Sequence, residues 1–182
     1  MKFTKTAIPD VTLIEPDIFK DARGFFFQAY HKETFSKNGI EVQFVQDNHS
    51  ASAKGVLRGL HTQAAPKAQC KLVRVVRGEA FDVVVDIRKA SKTFGRHVHH
   101  VLSEENHRMI FIPEGLAHGF LALKDNTEFL YKVSDFYSPA HERGILWDDP
   151  ALAIPWPKLD VNFQVSDKDK KHPLLKELRE SF

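Results

Sequence analysis

The run G-V-L-R-G-L-H-T-Q, residues 55–63, sets a cation, Arg58, and an ionisable ring, His61, into what otherwise reads as a β-strand. In a regular strand alternate side chains point to opposite faces. Arg58 would then share a face with Leu60 and Thr62, and His61 would share one with Leu57 and Gly59. Other apolar runs are interrupted in the same way. Lys71 heads K-L-V-R-V-V, where Val73 and Val75 lie on its face, and Tyr131 in E-F-L-Y-K-V lies on the face of Phe129. His118 sits in P-E-G-L-A-H-G-F, beside glycines that let backbone approach a ligand. Taken singly, each is more often a core or rim residue. Four such groups in one small chain point instead to a lined, polar pocket.

The chemistry open to such a set follows from the groups themselves. A neutral imidazole, with a reference pKa of ~6.5, removes a proton at neutral pH. A lysine ammonium steadies a developing oxyanion, and a tyrosine hydroxyl can give a proton on the opposite side of a substrate. Together they suit proton abstraction beside a carbonyl, through an enolate. Return of the proton to the other face would be epimerisation.

Ten histidines also invite a metal reading, strongest at R-H-V-H-H, where His97 and His99 fall on one strand face. No Glu, His or Cys follows at a ligand spacing, and His61 is followed by Thr62 and Gln63 rather than by a second histidine. No metal is expected.

Such residues need a scaffold of many strands. Short runs rich in aromatic and β-branched residues recur, among them R-G-F-F-F-Q-A-Y, V-Q-F-V-Q, F-D-V-V-V-D-I, R-M-I-F-I-P and G-F-L-A-L. Turn chemistry (R-G-E, F-G-R, P-E-G, K-D-N) separates runs of this kind. The pattern indicates an antiparallel sandwich or barrel, not alternating βαβ units. K-L-V-R-V-V-R-G-E-A-F-D-V-V-V-D-I reads as a hairpin closed near Gly78. A short helix is expected from His31 to Lys37. Another is expected in the tail H-P-L-L-K-E-L-R-E-S-F, with Pro173 in its first turn and Leu174, Leu175 and Leu178 as an apolar stripe. P-A-L-A-I-P-W-P-K-L-D reads as an extended stretch over a sheet surface. The expected fold class is all-β, a jelly-roll barrel with a short C-terminal helical segment, as one domain over residues 1–182.

The bulk numbers agree. A chain 42% hydrophobic and 27% charged suits a soluble globule with a real core. A net charge of +2 demands neither nucleic acid nor a membrane as partner. The single cysteine, Cys70, excludes an internal disulfide and fits a reducing compartment. With no leader-like N-terminus, the expected location is the cytoplasm.

At this point the motifs carry a resemblance. D-A-R-G-F-F-F-Q, Q-D-N-H-S-A-S, G-V-L-R-G-L-H, K-L-V-R-V-V-R-G-E, I-P-E-G-L-A-H-G-F, E-F-L-Y-K-V, E-R-G-I-L-W-D-D-P and S-D-K-D occur in this order. From about Phe3 to Asp169 the chain closely resembles the dTDP-4-dehydrorhamnose 3,5-epimerase family, whose members are cupin-type jelly rolls. The resemblance implies dTDP-4-dehydro-6-deoxy-D-glucose as substrate, inverted at the two carbons flanking its keto group. It also implies no cofactor, and a homodimer with strand exchange. His61 becomes the general base, Asp169 its orienting carboxylate, Tyr131 the proton donor and Lys71 the holder of the enolate oxygen. Substrate contacts would come from Arg23, Gln28, Gln46, Asp47, Asn48, Arg58, His118, Glu142 and Lys168, with Tyr137 stacking on thymine.

Three residues depart from the family pattern: Gln28 for Glu, Thr62 for an aromatic residue, and Cys70 for Gly or Ala. They leave open a single-carbon epimerase or keto-isomerase for another dTDP-4-keto sugar, or a non-catalytic binding module. If Arg58 and His61 serve one substrate, strand alternation cannot hold between them. Gly59 is then the expected place for a bulge.

Overall fold

A computed structural model describes residues 1–178. In chain order the strands are β1 (Lys2–Lys5), β2 (Thr12–Glu15), β3 (Phe19–Asp21), β4 (Gly24–Phe26), β5 (Gln46–Ser52), β6 (Val56–Gln63), β7 (Lys71–Arg77), β8 (Glu79–Asp86), β9 (His97–Ser103), β10 (Met109–Ile112), β11 (Leu116–Ala122), β12 (Thr127–Val133), β13 (Glu142–Gly144) and β14 (Gln164–Val165). Among the described residues a single α-helix, α1 (Lys32–Lys37), lies between β4 and β5, and the His31 ring accepts the Thr34 N–H at its N-cap.

One sheet has the order β1-β2-β10-β7-β12-β5 and the other β13-β6-β11-β8-β9, with β14 alongside β6. This is the jelly roll, built as two facing sheets rather than as one barrel closed by hydrogen bonds. The expected hairpin at Gly78 is not one: β7 and β8 belong to different sheets. A glycine turn between two apolar runs serves equally well to cross from one sheet to the other. Residues 42–45 belong to no strand, and the strand there begins at Gln46 and runs through the polar Q-D-N-H-S-A-S.

Three apolar clusters hold the layers. Between the sheets lie Val73, Val75, Val84, Val98, Ile110 and Phe129, with Phe120 stacked on Phe129 at 4.2 Å and 1° between planes. Such an aromatic pair adds about 1 kcal/mol beyond its buried area. Phe35 of α1 anchors a second cluster with Leu72 and Met109 outside the first sheet. Outside the second sheet, Leu57, Leu60, Phe81 and Val83 are covered by the extended segment bearing Trp147, Ile154, Trp156 and Leu159. Leu175 and Leu178 of the tail join that cover. Over its described part the expected tail helix is only a single 3₁₀ turn, Leu175–Glu177, with Pro173, Leu174 and Leu178 outside it; residues 179–182 of that expectation lie outside the described residues. Among the described residues no helix is long and apolar enough to cross a membrane.

Candidate active site

The strand G-V-L-R-G-L-H breaks its alternation where the residue types require it. In the pairing of β6 with β11, His118 lies opposite His61 and Phe120 opposite Arg58, so three residues of β6 oppose two of β11. The extra residue falls at Gly59, whose φ is +122°. A Cβ there would lie 2.6 Å from Gly119 Cα and 2.8 Å from the His118 carbonyl oxygen. Leu57 and Leu60 consequently both face the outer cluster, and Arg58 and His61 both face one concavity. The bulge expected at Gly59 is present.

It also frees a donor. The Gly59 N–H points to Asp169 Oδ2 at 3.2 Å, while Asp169 Oδ1 lies 2.7 Å from His61 Nε2. A carboxylate only accepts, so Nε2 carries the hydrogen and Nδ1 presents its lone pair. Burial alone would raise the Asp169 carboxyl. Its contacts with His172 and His61, and the Gly59 N–H, outweigh that and hold it well below the usual carboxylate range.

His61, Thr62, Lys71, Tyr131, Gln46, Asn48, Tyr137 and Glu142 line one cavity of about 340 Å³. Lys71 and Tyr131 come from the first sheet and His61 from the second. Alternation puts Lys71 beside Val73 and Val75, and Tyr131 beside Phe129, so both point into the space between the sheets. Burial pushes the Lys71 ammonium down to about 8, against the attraction of Asp82 and Glu142; its Nζ reaches the His61 carbonyl at 3.4 Å. Burial raises the Tyr131 hydroxyl, Arg58 opposing, so at neutral pH it keeps its proton.

At the mouth, Glu142 Oε2 accepts the Tyr137 hydroxyl at 2.6 Å and pairs with Lys168 Nζ at 2.5 Å. Gln46 Oε1 accepts the Tyr137 N–H at 3.2 Å, and Gln63 Oε1 accepts that of Ser138 at 2.7 Å. Tyr137 itself is 55% exposed. Arg58 donates to Ser52 Oγ and the Ala51 carbonyl, both at 3.2 Å, which carries its guanidinium across to β5.

Four expected contacts lie elsewhere. Asp47 falls between Gln46 and Asn48 on β5, so alternation turns it to the opposite face, where Lys132 Nζ binds both its oxygens at 2.9 Å. His118 does not line the cavity; it is buried, with Nε2 2.7 Å from Asp82 Oδ2. Arg23, at the tip of the β3–β4 hairpin, lines a separate concavity, and Gln28 is exposed beyond that hairpin. Of the departures, Thr62 is buried in the cavity wall, whereas Cys70 lines a different concavity, its thiol raised by burial.

Asp82, inside the apolar run F-D-V-V-V-D-I, was not marked by any spacing signal. Nor was His172, which reads as part of a tail helix. His61, Asp169 and His172 place three possible ligand atoms within 4.8 Å of one another. The 2.7 Å from His61 Nε2 to Asp169 Oδ1 is that of a direct hydrogen bond.

The sequence model of the dTDP-4-dehydrorhamnose 3,5-epimerase family matches residues 5–177. A dTDP-4-dehydrorhamnose 3,5-epimerase of Shigella flexneri is 56% identical over 170 residues, covering 93% of this chain and 93% of that protein. One of Pseudomonas aeruginosa is 55% identical over 172 residues, covering 94% of each. The crystal structure of a dTDP-6-deoxy-D-glucose-3,5-epimerase from Legionella pneumophila, in complex with dTDP-4-keto-L-rhamnose, aligns with a TM-score of 0.93 at 46% identity. That alignment covers 97% of this chain and 94% of the other.

Proposed function

Because the chain belongs to the dTDP-4-dehydrorhamnose 3,5-epimerase family, we propose that His61 is the base and Tyr131 the acid of its reaction. The enzyme is an isomerase that inverts dTDP-4-dehydro-6-deoxy-D-glucose at carbons 3 and 5, giving dTDP-4-dehydro-L-rhamnose. The observation that carries the assignment is the opposition of the two groups: His61 and Tyr131 project from facing sheets into one cavity. A proton lost to one side of the sugar is replaced from the other, which is what inversion requires.

His61 Nδ1 takes the proton from the carbon beside the keto group. The resulting imidazolium is stabilised by Asp169 through Nε2–H. Negative charge moves to the keto oxygen, where the Lys71 ammonium meets it in a recessed, poorly solvated position. Tyr131, kept protonated by burial, gives its hydrogen to the opposite face of the carbon. The Arg58 guanidinium at the mouth suits the diphosphate. Tyr131→Phe is expected to keep solvent exchange at the acidic carbons, because His61 can still remove and return a proton on its own face. Net inversion should fall by about 10²-fold or more. Inversion at the wild-type rate would remove Tyr131 from the mechanism.

Arg23 and Gln28 do not reach the cavity of their own chain, and we assign them to the cavity of a second subunit. The hairpin that carries Arg23 exposes Phe19 and Phe26, each 65% exposed, and Phe25 at 59%, a patch suited to burial against a partner. Inactive His61→Asn protomers mixed with Arg23→Ala protomers should recover activity. One site of each mixed dimer then receives an intact His61 and an intact Arg23. No recovery after proven subunit exchange would contradict the assignment.

A further inference from the structure

His172 stands beside the base without a part in that mechanism. Pairing of β13 with β6 puts Gly144 opposite His61. The His172 ring lies directly on that glycine: a Cβ at position 144 would come within 2.5 Å of its Cε1 and Nε2. The adjoining backbone is tied down, with the Leu146 N–H donating to the Pro173 carbonyl at 2.8 Å. The ring stands edge-on to that of His61, centroids 5.6 Å apart and planes at 74°. Its Nε2 is buried, has no hydrogen-bond partner among the described residues, and lies 3.7 Å from Asp169 Oδ1. That oxygen is the one holding His61 Nε2.

We propose that His172 is a positioning residue for the base, sharing Asp169 with His61 so that the carboxylate supports one imidazolium at a time. The inference rests on the reading of His61 as base. The other charges nearby have partners of their own. Glu142 on β13 binds Lys168 and Tyr137, Arg143 donates to the Ala140 and Glu142 carbonyls, and Lys170 pairs with Asp167. Lys71, across the cavity, reaches the His61 carbonyl and is drawn to Asp82 and Glu142, and Lys171 is exposed. Asp169 is the anion that both rings face. Two cations this close in a recessed site displace one another's titration by about one pH unit or more.

His172→Gln fills the space without a titrating ring. It is expected to move the acid limb of kcat/KM to higher pH by about one unit. Linkage requires the reverse coupling to be equal. In the His61→Asn protein, labelled with ¹⁵N-histidine and followed by NMR, the His172 ring should hold its proton to a pH higher by the same amount. Absence of either shift overturns the proposal, and if His172→Gln does not fold, the His61→Asn titration decides alone. The titration reports the coupling whether or not His61 is the base. Solvent exchange by the His61→Asn enzyme tests that reading separately.

Discussion

Replacing His61 with asparagine is expected to lower kcat/KM for dTDP-4-dehydro-6-deoxy-D-glucose by about 10³-fold or more, the usual worth of a well-placed general base. Asparagine is the informative choice. Its amide N–H can still donate to Asp169, whose other oxygen keeps the Gly59 N–H, so the buried carboxylate is not stranded. The imidazole is only partly buried, with 29% of the side chain exposed, and the apolar clusters do not depend on it. The melting temperature should therefore stay within a few degrees of wild type. What is lost is the lone pair at Nδ1, and with it the first step. A variant that turned over at near the wild-type rate would show that some other group removes the proton.

Gly59→Ala is expected to destabilise the protein by about 3 kcal/mol or more and to abolish activity in whatever fraction folds. Two penalties add. The backbone at φ +122° is a conformation that an L side chain rarely adopts. The new methyl would also collide with Gly119 Cα and the His118 carbonyl, backbone atoms of β11 that no rotamer change can move. For a chain of this size that corresponds to a fall of about 10 °C in Tm. Relief of the collision requires β6 to slip toward regular alternation. That slip would turn His61 or Arg58 away from the cavity and withdraw the N–H from Asp169. Unchanged stability and activity would show that the site does not depend on the bulge.

The same bulge marks how far the sequence could be read. Arg58 and His61 stand three positions apart in an apolar run, with a glycine between them, and that spacing pointed to the irregularity at Gly59. Lys71 and Tyr131 were legible because each shares a strand face with core residues, which the inter-sheet cluster bears out. Asp47 lies off the cavity of its own chain because alternation sends every second side chain of β5 to the other face, where it meets Lys132. The Gly78 turn was misread because local apolar patterning does not distinguish a hairpin from a crossing between sheets; only the pairing partners do. Strands β1 and β5 escaped notice for the opposite reason, since K-F-T-K and Q-D-N-H-S-A-S carry too few β-branched residues to stand out. Asp82 and His172 act through neighbours distant in sequence, His118 in one case and Asp169 with Gly144 in the other. No spacing within their own segments could have revealed them.

The central claim is that one base, on one side of a single cavity, removes the protons at both carbons flanking the keto group. Incubating dTDP-4-dehydro-6-deoxy-D-glucose with the enzyme in deuterium oxide, and reading each carbon by NMR, tests it most directly. The account predicts deuterium at carbons 3 and 5 with the wild-type enzyme, and at neither carbon with His61→Asn. Deuterium at either carbon with the His61→Asn enzyme, at a rate near that of the wild type, would contradict it.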